Sequence, residues 1–149
     1  MGRMMTDLTV QAKKRRTVGA LIDTGAGVTV LSKLLADTIG IDCAAEDKLD
    51  IGGRTRRVCY RMVDLHIPRT DCFVEGMRVA VIATESGDIP TAILGADFLQ
   101  RTGAFLDFRR DRHAVGGDVD GRDPQPAPFV EAKPARLRAR VTRRRNGRR

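Results

Sequence analysis

The sequence predicts a mainly β domain with one or two short helices, followed by a basic tail. Over residues 1–108, short apolar segments of strand length are separated by glycine, proline and charged turns. Hydrophobic residues make up 42% of the 149-residue chain and aromatic residues only 4%, so aliphatic side chains must supply the core. The formal net charge of +8 lies entirely beyond residue 108. We therefore expect one folded domain over residues 1–108.

Residues 109–149 differ in composition from the domain. They hold 13 of the 27 basic side chains and 5 of the 19 acidic ones, whereas residues 1–108 are electrically balanced. Because proline, glycine and arginine dominate and apolar residues are too few for a core, we expect this tail to be disordered or weakly helical. Lys and Arg occupy nine of the 17 residues in 133–149. Such arms bind polyanions, including nucleic acid, without sequence preference; a solvated extension without a partner is an equal alternative.

The predicted elements of the domain follow from these patterns in chain order. Residues 8–10 and 17–23 flank a basic turn, as the strands of a hairpin would. Residues 32–40 predict a short helix, because Ser32 can cap its start and Gly40 lies just past its end. The remaining predicted elements are a hairpin over 48–53 and 56–67 with Gly52 and Gly53 at its tip, strands over 76–84, 91–95 and 104–108, and a one- to two-turn helix over 96–103.

Composition argues against several classes of protein. No window approaches about 18 consecutive apolar residues, so a transmembrane helix is not expected. The first ten residues lack an apolar signal region, and Cys43, Cys59 and Cys72 lack CxxC spacing. We therefore expect reduced thiols in a cytoplasmic protein. His66 and His113 are the only histidines of the sequence, so neither a metal site nor a cofactor is expected.

An aspartate, Asp23, interrupts the apolar segment ALIDTGAGVTVL of residues 20–31. A buried, unpaired carboxylate is costly, so this one must be protonated, paired or part of a site that needs it. One interpretation is a β-turn in which Asp23 binds its own backbone. A second is a dinucleotide-binding turn, but Gly25 and Gly27 supply only half of that fingerprint, and Val30 occupies the third small position. The third is the catalytic turn of an aspartic peptidase.

Aspartic peptidase chemistry needs two carboxylates that share one proton and hold a water molecule between them. The ionised carboxylate accepts a proton from the water, and the protonated one polarises the scissile carbonyl. The turn Asp23-Thr24-Gly25 suits this task, and a second apolar segment with a glycine, AILGADFL, follows at residues 92–99.

The segments ALIDTGAGVTVL and AILGADFL…GAFLDF resemble those of the retropepsins, the single-domain aspartic proteases of retroviruses and their cellular and bacterial relatives. The resemblance spans residues 8–108 and implies the closed β-barrel that forms half of an acid protease. It also implies that Asp23 is the catalytic carboxylate and that Thr24 and Gly25 complete its turn. The implied substrate-binding and flap residues are Ala26, Gly27, Ile51, Gly52, Gly53, Ile93, Leu94 and Gly95.

A homodimer follows from this resemblance, because the chain has one Asp-Thr-Gly and no Asp-Ser-Gly. Two copies of Asp23 would meet across a two-fold axis, and the chain termini, near 8–10 and 104–108, would interleave there. Retroviral members carry an acidic residue and an arginine that pair and brace the dimer, whereas Gly27 and Ala96 occupy those positions here. The resemblance therefore implies a weaker dimer or one that is stabilised differently.

Two further features bear on the substrate and on the pH of activity. Arg54, Arg56 and Arg57 make the predicted flap basic, which either protects a hairpin edge by charge or favours acidic substrate segments. Ala26 replaces a serine that many acid-active relatives carry. Without that hydroxyl, one hydrogen bond to the ionised carboxylate pair is absent, so we expect activity at mildly acidic to neutral pH.

The sequence thus predicts a cytoplasmic aspartic endopeptidase that is active as a homodimer on a protein or peptide substrate. Two alternatives stay open. One is a dimeric peptide- or protein-binding module with the same fold and no turnover. The other is a polyanion-binding adaptor that acts through the tail.

Overall fold

The computed structural model describes residues 4–85, 87–103, 105–107 and 112–114 of the chain. Strands greatly outnumber helices within these ranges, as the apolar pattern predicts. The strands are β1 (Met5–Gln11), β2 (Arg15–Ile22), β3 (Val30–Leu31), β4 (Asp47–Ile51), β5 (Arg54–Ile67), β6 (Cys72–Ile82), β7 (Ala92–Leu94), β8 (Phe105–Asp107) and β9 (Arg112–Ala114), and the helices are α1 (Lys33–Ile39) and α2 (Ala96–Thr102).

Six of the strands close into a barrel. Their order around the sheet is β1-β2-β7-β3-β6-β5, and the pairing of β1 with β5, with Thr9 opposite His66, closes the ring. In the described part of the chain, β4 pairs with β5 alone, so these two strands form a hairpin attached to the ring. The prediction of a mainly β domain with a closed barrel and two short helices is confirmed.

The core of the barrel is aliphatic, apart from Phe98 of α2, which is fully buried. Leu8 and Val10 of β1 are also fully buried, within one cluster that includes Leu65 of β5. Because these two β1 side chains fill the protomer's own core, they are not available to a partner. The interleaving of subunits expected near residues 8–10 and 104–108 stays a prediction.

Helix α1 lies where its local signals predict. The Ser32 hydroxyl accepts a hydrogen bond from the Leu35 backbone N–H at 3.2 Å, which satisfies a donor in the first turn. Gly40 ends the helix with a left-handed φ of 80°. Both capping residues are in the roles that the sequence assigns to them.

Strand β3 was not predicted, and β6 begins four residues earlier than predicted, at Cys72 rather than at Gly76. A two-residue strand has no period of its own to detect. Its existence depends on long-range pairing, with Val30 opposite Ala80 of β6 and opposite Ile93 of β7. The segment after Asp23 is thus a barrel strand rather than a plain connection to α1.

The C-terminal segment differs from the prediction in the pairing partner of β8 and in the presence of β9. Strand β8 pairs with β9, with Leu106 opposite His113, and not with the seven-stranded sheet. Strand β9 lies in the segment 109–149 that was predicted to lack regular structure, so that prediction is wrong for residues 112–114. The basic segment 133–149 lies outside the described residues, and its polyanion binding stays a prediction.

The prediction of three reduced thiols is wrong, because Cys43 and Cys59 form a disulfide with their Cα atoms 5.7 Å apart. These cysteines are separated by 16 positions, a spacing that is not typical of any motif, and the fold of the barrel brings them together. Cys72 stays free and is buried, and its desolvation raises the pKa of the thiol to about 11. Among the described residues, no helix is long and apolar enough to span a membrane.

Counting thiols tests this cysteine assignment. For protein purified without reductant, we expect no rapidly reacting thiol in the native state, since Cys72 is buried and its thiolate is disfavoured. Denaturation should expose one thiol per chain, and reduction in denaturant should expose three. A colorimetric thiol assay on wild type and on Cys72→Ser provides the measurement. Three thiols in denaturant before reduction would instead support the fully reduced state.

Candidate active site

Asp23 lies directly after β2, at the point where the chain leaves the barrel wall. Its backbone N–H donates to the Leu94 carbonyl of β7 at 3.0 Å, which continues the parallel pairing of Leu21 with Ile93. The Gly25 backbone N–H donates to the Asp23 Oδ1 atom at 2.9 Å. The carboxylate is partly exposed, and none of the ion pairs among the described residues involves it, unlike an ordinary core aspartate.

Gly95 lies against the back of this loop. A Cβ atom at position 95 would lie 2.5 Å from the backbone C and O atoms of Val28 and 2.9 Å from the carbonyl oxygen of Ala26. The next residue, Ala96, donates its N–H to that same Ala26 oxygen at 2.7 Å. The backbone after β7 thus supports the Asp23 loop by direct contact, and only glycine permits this approach.

Two residues that sequence reasoning missed, Thr29 and Asp97, fix the far end of the loop. The fully buried Thr29 hydroxyl donates to Asp97 Oδ1 at 2.8 Å and accepts from the Gly95 N–H at 3.2 Å. The Thr29 N–H donates to Asp97 Oδ2 at 3.1 Å. Asp97 also accepts from the Phe98 N–H at 2.7 Å in the first turn of α2. A threonine just before a two-residue strand, followed 68 positions later by an aspartate, gave no local signal for this network.

A cleft of about 320 Å³ opens above the loop. Its charged lining residues are Asp23, Asp50, Arg56 and Asp88. The site residues implied by the sequence that line it are Asp23, Gly25, Ala26, Gly27, Ile51, Gly52 and Ile93, whereas Thr24, Gly53, Leu94 and Gly95 do not. Among the described residues, no three His, Cys, Asp or Glu side chains cluster as a metal site requires.

The hairpin β4–β5 covers one side of this cleft, and we call it the flap. Gly52 and Gly53 form its tip with φ values of 60° and 76°, which identify the two-residue turn that favours glycine at both positions. At its base, Arg61 of β5 donates to Glu46 Oε1 at 2.6 Å, and this hydrogen bond lowers the pKa of Glu46. The disulfide lies at the same end of the hairpin, because Cys59 is in β5.

The three flap arginines have different positions. Arg56 Nη2 lies 2.7 Å from Asp88 Oδ2, and Arg54 Nη1 lies 3.1 Å from the same oxygen. Asp88 belongs to the connection between β6 and β7, so these ion pairs join the flap to the opposite wall of the cleft. Arg57 is exposed, and its neighbour across the hairpin is Lys48.

The two positions that depart from the retroviral pattern also differ in their surroundings. Gly27 is exposed, and a Cβ atom there would meet nothing within 4 Å. Ala96 begins α2 and uses its backbone, rather than a side chain, to contact the loop at Ala26. Neither position can supply an ion pair across a dimer interface.

A closed barrel with an Asp-Thr-Gly loop supported by a glycine and covered by a hairpin flap defines the retropepsin-type fold. A family model described as gag-polyprotein putative aspartyl protease matches residues 8–101. The chain therefore belongs to this family of aspartyl proteases. No curated protein matches the chain.

Solved structures confirm the fold. The EIAV protease in complex with an inhibitor is similar with a TM-score of 0.55 and 22% identity, covering 71% of this chain and 93% of that one. A retropepsin-like aspartic protease from Rickettsia conorii has a TM-score of 0.54 and 19% identity, with coverage of 71% and 77%. The retroviral protease-like domain of Ddi1 from Leishmania major has a TM-score of 0.53 and 18% identity, with coverage of 77% and 88%.

Replacing Gly95 by alanine tests whether the loop depends on this backbone contact. A methyl group 2.5 Å from Val28 backbone atoms cannot be accommodated without moving the loop, so we expect Gly95→Ala to lower the free energy of unfolding by about 2–4 kcal/mol. Gly27→Ala is the matched control, because a Cβ there meets nothing, and we expect a change within about 0.5 kcal/mol. Urea unfolding of both variants measures the difference; equal stabilities would contradict the packing argument.

Thr29 allows a separate test of the hydrogen-bond network. Thr29→Val keeps the shape of the side chain but leaves the buried Gly95 N–H without its acceptor and removes a donor to Asp97. We expect a loss of about 1–3 kcal/mol in the free energy of unfolding. Thr29→Ser retains the hydroxyl and should recover most of this loss. If valine and serine variants unfold at the same urea concentration, the network does not stabilise the loop.

Proposed function

We propose that this protein is an aspartic endopeptidase, active as a homodimer, in which two Asp23 carboxylates from two subunits activate one water molecule. The observation that carries the proposal is the position of Asp23. It is a partly exposed carboxylate on the floor of a cleft, on a loop held rigidly from behind by Gly95.

In this mechanism the second carboxylate comes from another chain. Asp50 and Asp88 also line the cleft, but each is engaged elsewhere: Asp50 Oδ1 accepts from the Thr55 hydroxyl at 2.6 Å, and Asp88 pairs with Arg56. Both lie on the flap or the facing wall rather than on the loop of Asp23. A two-fold dimer that brings two Asp23 loops together supplies the partner with equal geometry.

The chemistry then follows from the shared proton. Two carboxylates within hydrogen-bond distance do not both ionise near neutral pH, so one is protonated and the other is not. The ionised group accepts a proton from the water as it attacks the scissile carbonyl, and the protonated group donates to the developing oxyanion. The Gly25 N–H, at 2.9 Å from Asp23 Oδ1, orients the carboxylate for this role.

The cleft itself suits an extended peptide. Apart from its charged residues, its lining is mostly aliphatic, with Ile51 on the flap and Ile93 on the wall behind the loop. A peptide chain between flap and loop would bury apolar side chains against these residues while its backbone spans the cleft.

Substitution of Asp23 tests the activity. We expect Asp23→Asn to reduce cleavage of a diverse peptide mixture by about 10³-fold or more, because the amide cannot act as a base, while its oxygen still accepts from Gly25. Cleavage is read by mass spectrometry from pH 4 to 8. The wild type should be most active at mildly acidic to neutral pH.

A mixing experiment tests the two-subunit mechanism with the same variant. Excess Asp23→Asn should inhibit the wild type, because mixed dimers contain only one active carboxylate, whereas an equal excess of an unrelated protein should not. Wild-type activity should also rise faster than linearly with dilute enzyme. If well-folded wild type cleaves nothing, the peptide-binding module without turnover becomes the better interpretation. Cleavage that is unaffected by Asp23→Asn would overturn the proposal.

A further inference from the structure

The inner face of the flap combines aliphatic and cationic side chains. In the register of the hairpin, Leu49 lies opposite Arg56 and Ile51 lies opposite Arg54. Residues directly opposite each other in an antiparallel pair share a face of the sheet. Leu49, Ile51 and Arg56 line the cleft, so this face is the one turned toward a substrate. A bound peptide would therefore meet the Arg56 guanidinium beside two aliphatic side chains, and Arg54 lies on the same face outside the cleft lining.

These guanidinium groups converge on one carboxylate oxygen. Arg56 and Arg54 lie 2.7 Å and 3.1 Å from the Asp88 Oδ2 atom. The side chain of Arg56 is only 16% exposed, whereas those of Asp88 and Arg54 are 46% and 72% exposed. Arg56 is thus held in the cleft, while the carboxylate that it binds is accessible to solvent.

In the cluster of Arg54, Arg56 and Asp88, a carboxylate from another molecule can replace that of Asp88. Two cations face one anion, so the three side chains carry a net positive charge. Because an incoming carboxylate takes the place of the one that leaves, Arg56 keeps a charge-assisted partner, and the half-exposed Asp88 carboxylate returns to water. The planar guanidinium of arginine presents a fork of donors that matches a carboxylate, which makes an incoming acidic side chain a good ligand.

We propose that Arg56, assisted by Arg54, is a specificity-determining residue that binds an acidic side chain of the peptide substrate in exchange for Asp88. This inference rests on the proposed peptidase function and names its substrate class: peptides with an Asp or Glu close to aliphatic residues at the cleavage site. Asp88 competes with the substrate for the same cation, so it sets how strongly the acidic side chain is preferred.

Two variants with opposite expected effects test this inference. Cleavage sites are first read from a peptide library, and kcat/KM is then measured on matched peptides that carry Glu or Gln at the enriched position. Arg56→Gln should lower the Glu-to-Gln preference by about tenfold, because a charge-assisted hydrogen bond is lost. Asp88→Asn should raise the preference, because the competing carboxylate is gone. A purely structural ion pair would instead make both variants change in the same direction.

Arg57→Gln is the matched control, since it removes the same charge from the neighbouring position, which is exposed and does not line the cleft. The Glu-to-Gln preference of this variant should equal that of the wild type.

Binding of the library to immobilised Asp23→Asn, before and after amidation of the peptide carboxylates, tests the same inference without turnover. Cleavage with no acidic preference overturns this inference alone. Acid-dependent binding that Arg56→Gln abolishes, without any cleavage, supports the inference and overturns the peptidase. If neither cleavage nor acid-dependent binding is observed, both the inference and the proposed peptidase function are overturned.

Discussion

The close approach of Gly95 to the loop after Asp23 is the contact on which the candidate site depends. Parallel pairing of β2 with β7 brings the two chain segments side by side, and the absence of a side chain at Gly95 lets backbone touch backbone behind Val28. The network of Thr29 and Asp97 then fixes the other end of the loop to α2. The direction in which the carboxylate leaves the barrel is therefore a consequence of main-chain packing, and the flap and the cleft are arranged around it.

Features with a local signal were predictable from the sequence, and features that arise from distant pairing were not. The caps of α1, the glycine turn of the flap and the Asp23 loop each follow from a few adjacent residues. Strand β3 is two residues long and exists through its partners β6 and β7, so no periodicity could reveal it. The Cys43–Cys59 disulfide and the contact of Thr29 with Asp97 have the same origin, since only the closed barrel brings these residues together.

The structure places the flap arginines on opposite faces of the hairpin. Arg57 is exposed beside Lys48 of the outer strand β4. Arg54 and Arg56 instead reach across the cleft to Asp88. The four-residue segment 54–57 thus presents positive charge on both sides, because strand alternation sends its arginines to opposite faces of the hairpin.

The anchored base of the flap has a mechanical consequence. The disulfide and the Arg61–Glu46 ion pair hold the base of the flap. From this base the five residues of β4 extend over roughly 17 Å. Near its tip, Arg54 and Arg56 bind Asp88 on the facing wall, so the flap is held at both ends. Lifting the tip away from the cleft therefore requires the pairs with Asp88 to separate, whereas the base stays attached through the disulfide.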